Sequence, residues 1–114
     1  MIVNVQSVVG PICVTLDDGE EVHRRILPQL LNGNRVHLDF LGVQIVAAPF
    51  LNAAVGRLLK EIRPERFNRL LNVSNLDNVG QSVLKRVIEN SMEYYSNTTL
   101  RVAVDEVLSE EAEP

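Results

Sequence analysis

Apolar residues along the chain follow two periods, and the switches between them mark the elements. The opening "IVNVQSVV" is β-branched and apolar, breaks at Gly10-Pro11 and resumes as "ICVTL". That pattern predicts two short strands joined as a hairpin. The period then changes across "DDGEEVHRRILPQLLNGN", where Val22, Ile26, Leu30 and Leu31 fall at helical spacing. Acidic residues occupy the first turn of this stretch, where they suit a helix dipole, and Gly33 supplies the stop. Pro28 lies inside the pattern and must delete one backbone hydrogen bond, bending or shortening the helix. "RVHLDFLGV" reads as a third strand, with "VQIV" completing the approach to the next helix. From Phe50 onward, Leu51, Ala54, Val55, Leu58, Leu59 and Ile62 form an amphipathic stripe, with Asn52, Gly56, Lys60 and Arg63 opposite it. Pro64 ends that helix or opens a short turn through "PERFNR". "LLNVSNL" reads as a fourth strand. "DNVGQSVLKRVIENSMEYY" reads as a third helix, capped by Asp77 and burying Val79, Val83, Val87, Ile88 and Met92. "TLRVAVDEVL" fits either a fifth strand or a docked extension.

After the first hairpin, strands and helices alternate. The expected fold is therefore α/β: a mixed sheet of four or five strands, parallel at its centre, packed with about three main helices. A chain of 114 residues fits one domain, 1–108, with the last six residues "SEEAEP" (109–114) as an acidic tail. The hydrophobic fraction is 46% with no tryptophan, so the core must rest on Val, Leu, Ile and Ala. A single cysteine, Cys13, can neither staple the chain nor build a thiolate metal site. No apolar run approaches the roughly 18 residues of a membrane span, and the start has no basic signal-peptide region. A cytoplasmic protein without membrane partners is the expectation. The net charge of −4 gives no overall drive toward nucleic acid. Charge is unevenly placed, however: Arg57, Lys60, Arg63, Arg66 and Arg69 stand against Glu61 and Glu65, whereas Asp105 to Pro114 holds five acids and no base.

Candidate chemistry is sparse. His23 and His37 have no cysteine or clustered carboxylate at metal-ligand spacing, so packing or surface roles are expected and no metal or cofactor is implied. None of the serines lies in a nucleophile elbow, and no glycine-rich phosphate loop occurs. No enzyme is expected. Asp39 stands out because it ends an apolar strand. It either accepts backbone N–H bonds from the Gly42 turn or contacts a ligand or partner at the carboxyl end of a parallel strand.

The stretch "RVHLDFLGVQIVAAPFLNAAVGRLL", followed by "RLLNVSNLDNVGQSVLKRVIE", resembles a family of small bacterial STAS-like domains of unknown function. These are similar to the domain shared by sulfate transporters and anti-sigma-factor antagonists. The likeness covers residues 20 to 95. It implies a non-catalytic protein-interaction and regulatory module whose partner is often an ATP-binding, histidine-kinase-like protein; a homodimer is the other association to test. In anti-sigma antagonists the strand-to-helix junction carries a phosphorylated Ser or Thr. Here that motif falls on Ala47, Ala48 and Pro49, and none of them can accept phosphate. By the same resemblance, Asp39, Ala48, Asn52, Gly56 and Lys60 form the partner-binding face. The rival reading is a small-molecule or nucleotide site using the same junction, where free N–H groups at a helix start would favour an anion.

Overall fold

The computed structural model describes residues 1–96. The expected fifth strand or extension at 98–108 and the acidic tail at 109–114 lie outside the described residues. Two parallel sheets organise the rest. The larger has strand order β1-β3-β5, formed by Ile2–Asn4, Val36–Asp39 and Leu71–Ser74. The smaller pairs β2 (Ile12–Cys13) with β4 (Ile45–Val46). Every pairing among the described residues is parallel. The α/β class holds, but the single mixed sheet of four or five strands is replaced by a three-stranded and a two-stranded sheet.

The expected N-terminal hairpin is not formed. After β1 the chain enters α1 (Val5–Val9), because the Asn4 side chain accepts the Ser7 N–H and so caps a helix start. Val5 is fully buried, Val8 and Val9 pack against the core, and Gly10 (φ +90°) turns the chain into β2. Local β propensity thus yields to packing, and β1 and β2 each find a distant parallel partner instead of each other.

α2 (Leu16–Leu31) starts at Thr15, whose hydroxyl accepts the Asp18 N–H, and ends before Gly33 at φ +82°. Pro28 stays within it. Val22, Ile26 and Leu30 are fully buried, whereas Leu31 faces solvent. A continuous helical stretch follows β4: α3 (Ala48–Leu51), a π turn (Asn52–Gly56) and α4 (Leu58–Glu61). Pro64 opens a real helix, α5 (Pro64–Leu70), and α6 (Asn78–Ser96) begins beside Asp77, whose carboxylate accepts the Gly80 N–H at 2.7 Å. Counting α3 to α4 as one, five helical segments replace the expected three.

Along the larger sheet, side chains alternate between faces. Val3, Val36, Leu38 and Leu71 turn inward and are buried, while Ile2, Asn4, His37, Asp39, Asn72 and Ser74 line the outer face. Phe40 and Phe50 meet edge-to-face at 6.5 Å, locking the end of β3 onto the start of α3. In α6, Val87 is buried and Val83, Ile88 and Met92 pack partly on the core, but Val79, in its first turn, is 70% exposed.

Candidate functional site

The strand-to-helix junction is built by β2. The Ala47 N–H donates to the Cys13 carbonyl at 2.9 Å, extending the β2–β4 ladder to the first residue before the helix. Ala47 has extended backbone, no side chain caps the helix, and Pro49 sits in the first turn, where its missing N–H is not needed. Ala48 and Pro49 are both exposed. Ile45 stands in register with Ile12 just upstream, and both keep much of their surface in water. The junction therefore presents small and aliphatic groups without a hydroxyl.

Asn52 is exposed and Lys60 is exposed, as the helical spacing requires, but Gly56 is buried. The expected stripe at every fourth residue is corrected at this position. Between Asn52 and Gly56 the helix makes one wider turn, in which the Arg57 N–H bonds the Asn52 carbonyl at 3.0 Å, five residues back. Arg57, not Gly56, then stacks over Asn52 on the outer side, and its guanidinium pairs with Glu20 at 3.1 Å. Gly56 turns under α6, so that a β-carbon there would lie 2.6 Å from Ser91 Oγ and 3.2 Å from Val87 Cγ1. Asn52 and Gly56 share a small cavity of about 250 Å³ with Asn90 and Ser91 of α6.

The wide turn also meets α2. His23, half-buried on α2, donates to the Ala54 carbonyl inside it. Burial lowers the His23 pKa below its ordinary value, with Arg57 adding to the effect and the Ala54 bond, Glu61 and Glu20 opposing it. Its Nδ1 is buried without a partner. Cys13, fully buried, has its thiol pKa raised to about 11 by burial and by Asp18.

Asp39 belongs to a different surface. Phe40 points into the core, so Asp39 projects from the outer face of the larger sheet, away from the helices. Its Oδ1 accepts the Asn75 side-chain amide at 2.7 Å and the Leu41 N–H at 3.0 Å. These bonds, the Asn75 amide first, hold the carboxyl below its ordinary pKa. The backbone part is the turn-stabilising role that its position after an apolar strand suggested. Asn75 adopts φ +62°, a left-handed conformation that asparagine tolerates. Beside it, His37 Nε2 and Ser74 Oγ share a hydrogen bond of 2.6 Å. The sequence pointed to His37 only as a packing or surface residue and did not single out Ser74 or Asn75. The parallel register that sets Ser74 beside Asp39 is what gathers them, and it appears only when "HLDF" is laid against "NVSN".

Among the described residues no three His, Cys, Asp or Glu side chains are placed to hold a metal ion, and no helix is long and apolar enough to cross a membrane. A family model described as a STAS-like domain of unknown function matches residues 18–81. That span runs from the first turn of α2 through the junction and the π turn to the first turn of α6. In comparisons with curated proteins and with solved structures, no significant match is found.

Proposed function

The chain belongs to this family of STAS-like domains of unknown function, and from that premise we propose that it acts as a non-catalytic regulatory module docking a protein partner, an ATP-binding, kinase-like protein being the class the fold suggests. The observation that carries this reading is the exposed junction: Ala48 and Pro49 lie open beside Ile12 and Ile45, with Asn52 following on the helix. Small and aliphatic groups with an amide at the edge favour close approach of another protein surface. Docking there does not depend on phosphorylation, because Ala47, Ala48 and Pro49 offer no acceptor. The docking face comprises Ala48, Asn52 and Lys60, with Gly56 withdrawn beneath α6 and Asp39 on the other side of the sheet.

Asn52→Arg places a long cation at the centre of this face without entering the core. Pull-down from the native host and analytical ultracentrifugation should show association, with a partner or with itself, lost in the variant while circular dichroism is unchanged. Wild-type association in the variant would place the interface elsewhere. A second reading, a small-molecule site, is favoured by the His37–Ser74 and Asp39–Asn75 pairs at the carboxyl end of parallel strands. A thermal-shift screen with nucleotides separates the two, since a ligand at 100 times its Kd stabilises by about 2.7 kcal/mol.

A further inference from the structure

The end of the domain opposite the Asp39 turn is basic. α5 carries Arg66 and Arg69 one turn apart, and Arg63 precedes it. The Arg66 guanidinium reaches the turn closing α2, where its Nη2 lies 3.5 Å from the β-carbon position of Gly33. Val36 pairs with Leu71, so Arg35, just before β3, lies at the same end of the sheet as the last turn of α5, which carries Arg69. Lys60 and Arg63 line a groove of about 350 Å³ together with Ile62, Pro64, Met92 and Ser96. All five cations are exposed, and the ion pairs among the described residues use Arg24, Arg25 and Arg57 instead.

Charge elsewhere in the chain complements this end. Residues 1–96 balance ten acidic against ten Lys and Arg side chains, so the whole net charge of −4 comes from residues 97–114, with five carboxylates and Arg101. Ser96, on the groove wall, is the residue from which that segment continues, and Asp105 follows nine residues later. Nine residues span up to about 30 Å, ample to reach Lys60 and Arg63, which line the same groove as Ser96. Arginine forks suit carboxylates as well as phosphates. A polypeptide fits better than a nucleic acid: Glu61 and Glu65 are interleaved with the cations and would repel a phosphate backbone.

We propose that this basic end is a docking surface for the chain's own carboxylate-rich stretch, Asp105 to Glu113. Lys60 is shared with the junction face, but Asn52→Arg, the variant that tests that face, leaves all five cations in place, so the two readings can fail separately. Lys60 and Lys85 are the only lysines, which supplies an internal control. The full-length chain is treated with a zero-length carbodiimide cross-linker and the links are mapped by mass spectrometry. Lys60 should join carboxylates of residues 105–113 within one molecule, at several times the yield of Lys85. The yield should fall several-fold between 50 and 500 mM salt, on the order expected for screened charges, and in Arg63→Glu/Arg69→Glu, with circular dichroism unchanged. Equal linkage of Lys60 and Lys85, no linkage, or linkage only between molecules would overturn the proposal. So would salt-sensitive binding of an oligoadenylate probe to a chain in which Lys60 links none of these carboxylates.

Discussion

Gly19→Ala tests how tightly the two helices that frame the junction are pressed together. Gly19 lies in the first turns of α2, against the start of the helical stretch from Ala48. A methyl carbon placed there would sit 2.7 Å from Ala53 Cβ and closer still to the Phe50 carbonyl oxygen. Touching carbons stand about 3.5–4.0 Å apart, so the space is short by about 1 Å. One obstacle is main chain and the other is fixed to it, so neither can rotate away. The two helices must separate instead, loosening the contacts of Val22, Ile26, Phe50, Leu51 and Ala54, all fully buried.

Overpacking of this kind costs about 1–3 kcal/mol, and a gap of 0.5–1 Å forfeits roughly a quarter to a half of each dispersion contact it opens. Against this stands the gain of about 1 kcal/mol for replacing glycine by alanine inside a helix. The net expectation is a loss of up to about 2 kcal/mol, read as a lower urea midpoint at unchanged slope and a melting temperature down by up to roughly 10 °C. Gly80→Ala is the matched control. Its nearest neighbour is the end of the flexible Leu76 side chain at 3.0 Å, so the helix-forming gain should show and stability should stay within about 1 kcal/mol of wild type. A Gly19→Ala protein stabilised as much as the Gly80→Ala control would mean that the helices are not in contact here.

The core side of the same helix is tested by Leu58→Ala, which removes a fully buried side chain and should cost about 2–5 kcal/mol in urea unfolding; a near-neutral result would turn the helix away from the core. His23 predicts acid sensitivity. Its folded pKa is lowered below the ordinary 6.5, so its contribution is present above about pH 6.5 and is lost as pH falls through that value toward the folded pKa. His23→Gln should therefore show a shallower fall in stability between pH 7 and 5 than wild type, and parallel curves would exclude it as the cause. Cys13, with its thiol pKa near 11 and no exposed surface, should resist alkylation at pH 8 in the folded chain and react at an ordinary thiol's rate in urea; rapid labelling of the native protein would contradict its burial.

Elements whose apolar spacing agreed with their packing were legible from the sequence: α2 through Val22, Ile26 and Leu30, β3 and β5 through their short apolar runs, and α6 through Asp77. The N-terminal hairpin was not, because "VQSVV" carries strand-forming residues, yet Val5, Val8 and Val9 also meet the spacing of one helical face. Only the parallel partner waiting at β3 decides between the two, and that partner is more than thirty residues away. Strand pairing is non-local in the same way for the polar group on the outer face. Asp39 alone was visible, whereas Ser74 and Asn75 join it through a register that no local pattern encodes.

The π turn explains why the candidate face was only half legible. Positions 48, 52, 56 and 60 share a side in a regular helix because four residues nearly complete a turn. One wide turn changes that count: five residues now separate Asn52 from the residue above it, and Gly56 falls about 70° short, toward the core. The sequence "NAAVG" tolerates this because Ala53, Ala54 and Gly56 all enter the interior, and each is small enough for a neighbouring helix to approach. α2 closes on one flank through Gly19 and the His23 bond to Ala54, and α6 closes on the other through Ser91 and Val87. The small residues that suggested a flat outer strip are therefore mostly packing surface. What remains outside, Ala48 with Pro49, Asn52 and Lys60, is held in place by two helix contacts that leave no room for a methyl group. A substitution such as Gly56→Glu would then fail by displacing α6, with a lowered urea midpoint, whereas Asn52→Arg should leave that midpoint unchanged. Equal midpoints for the two variants would refute the inward turn of Gly56.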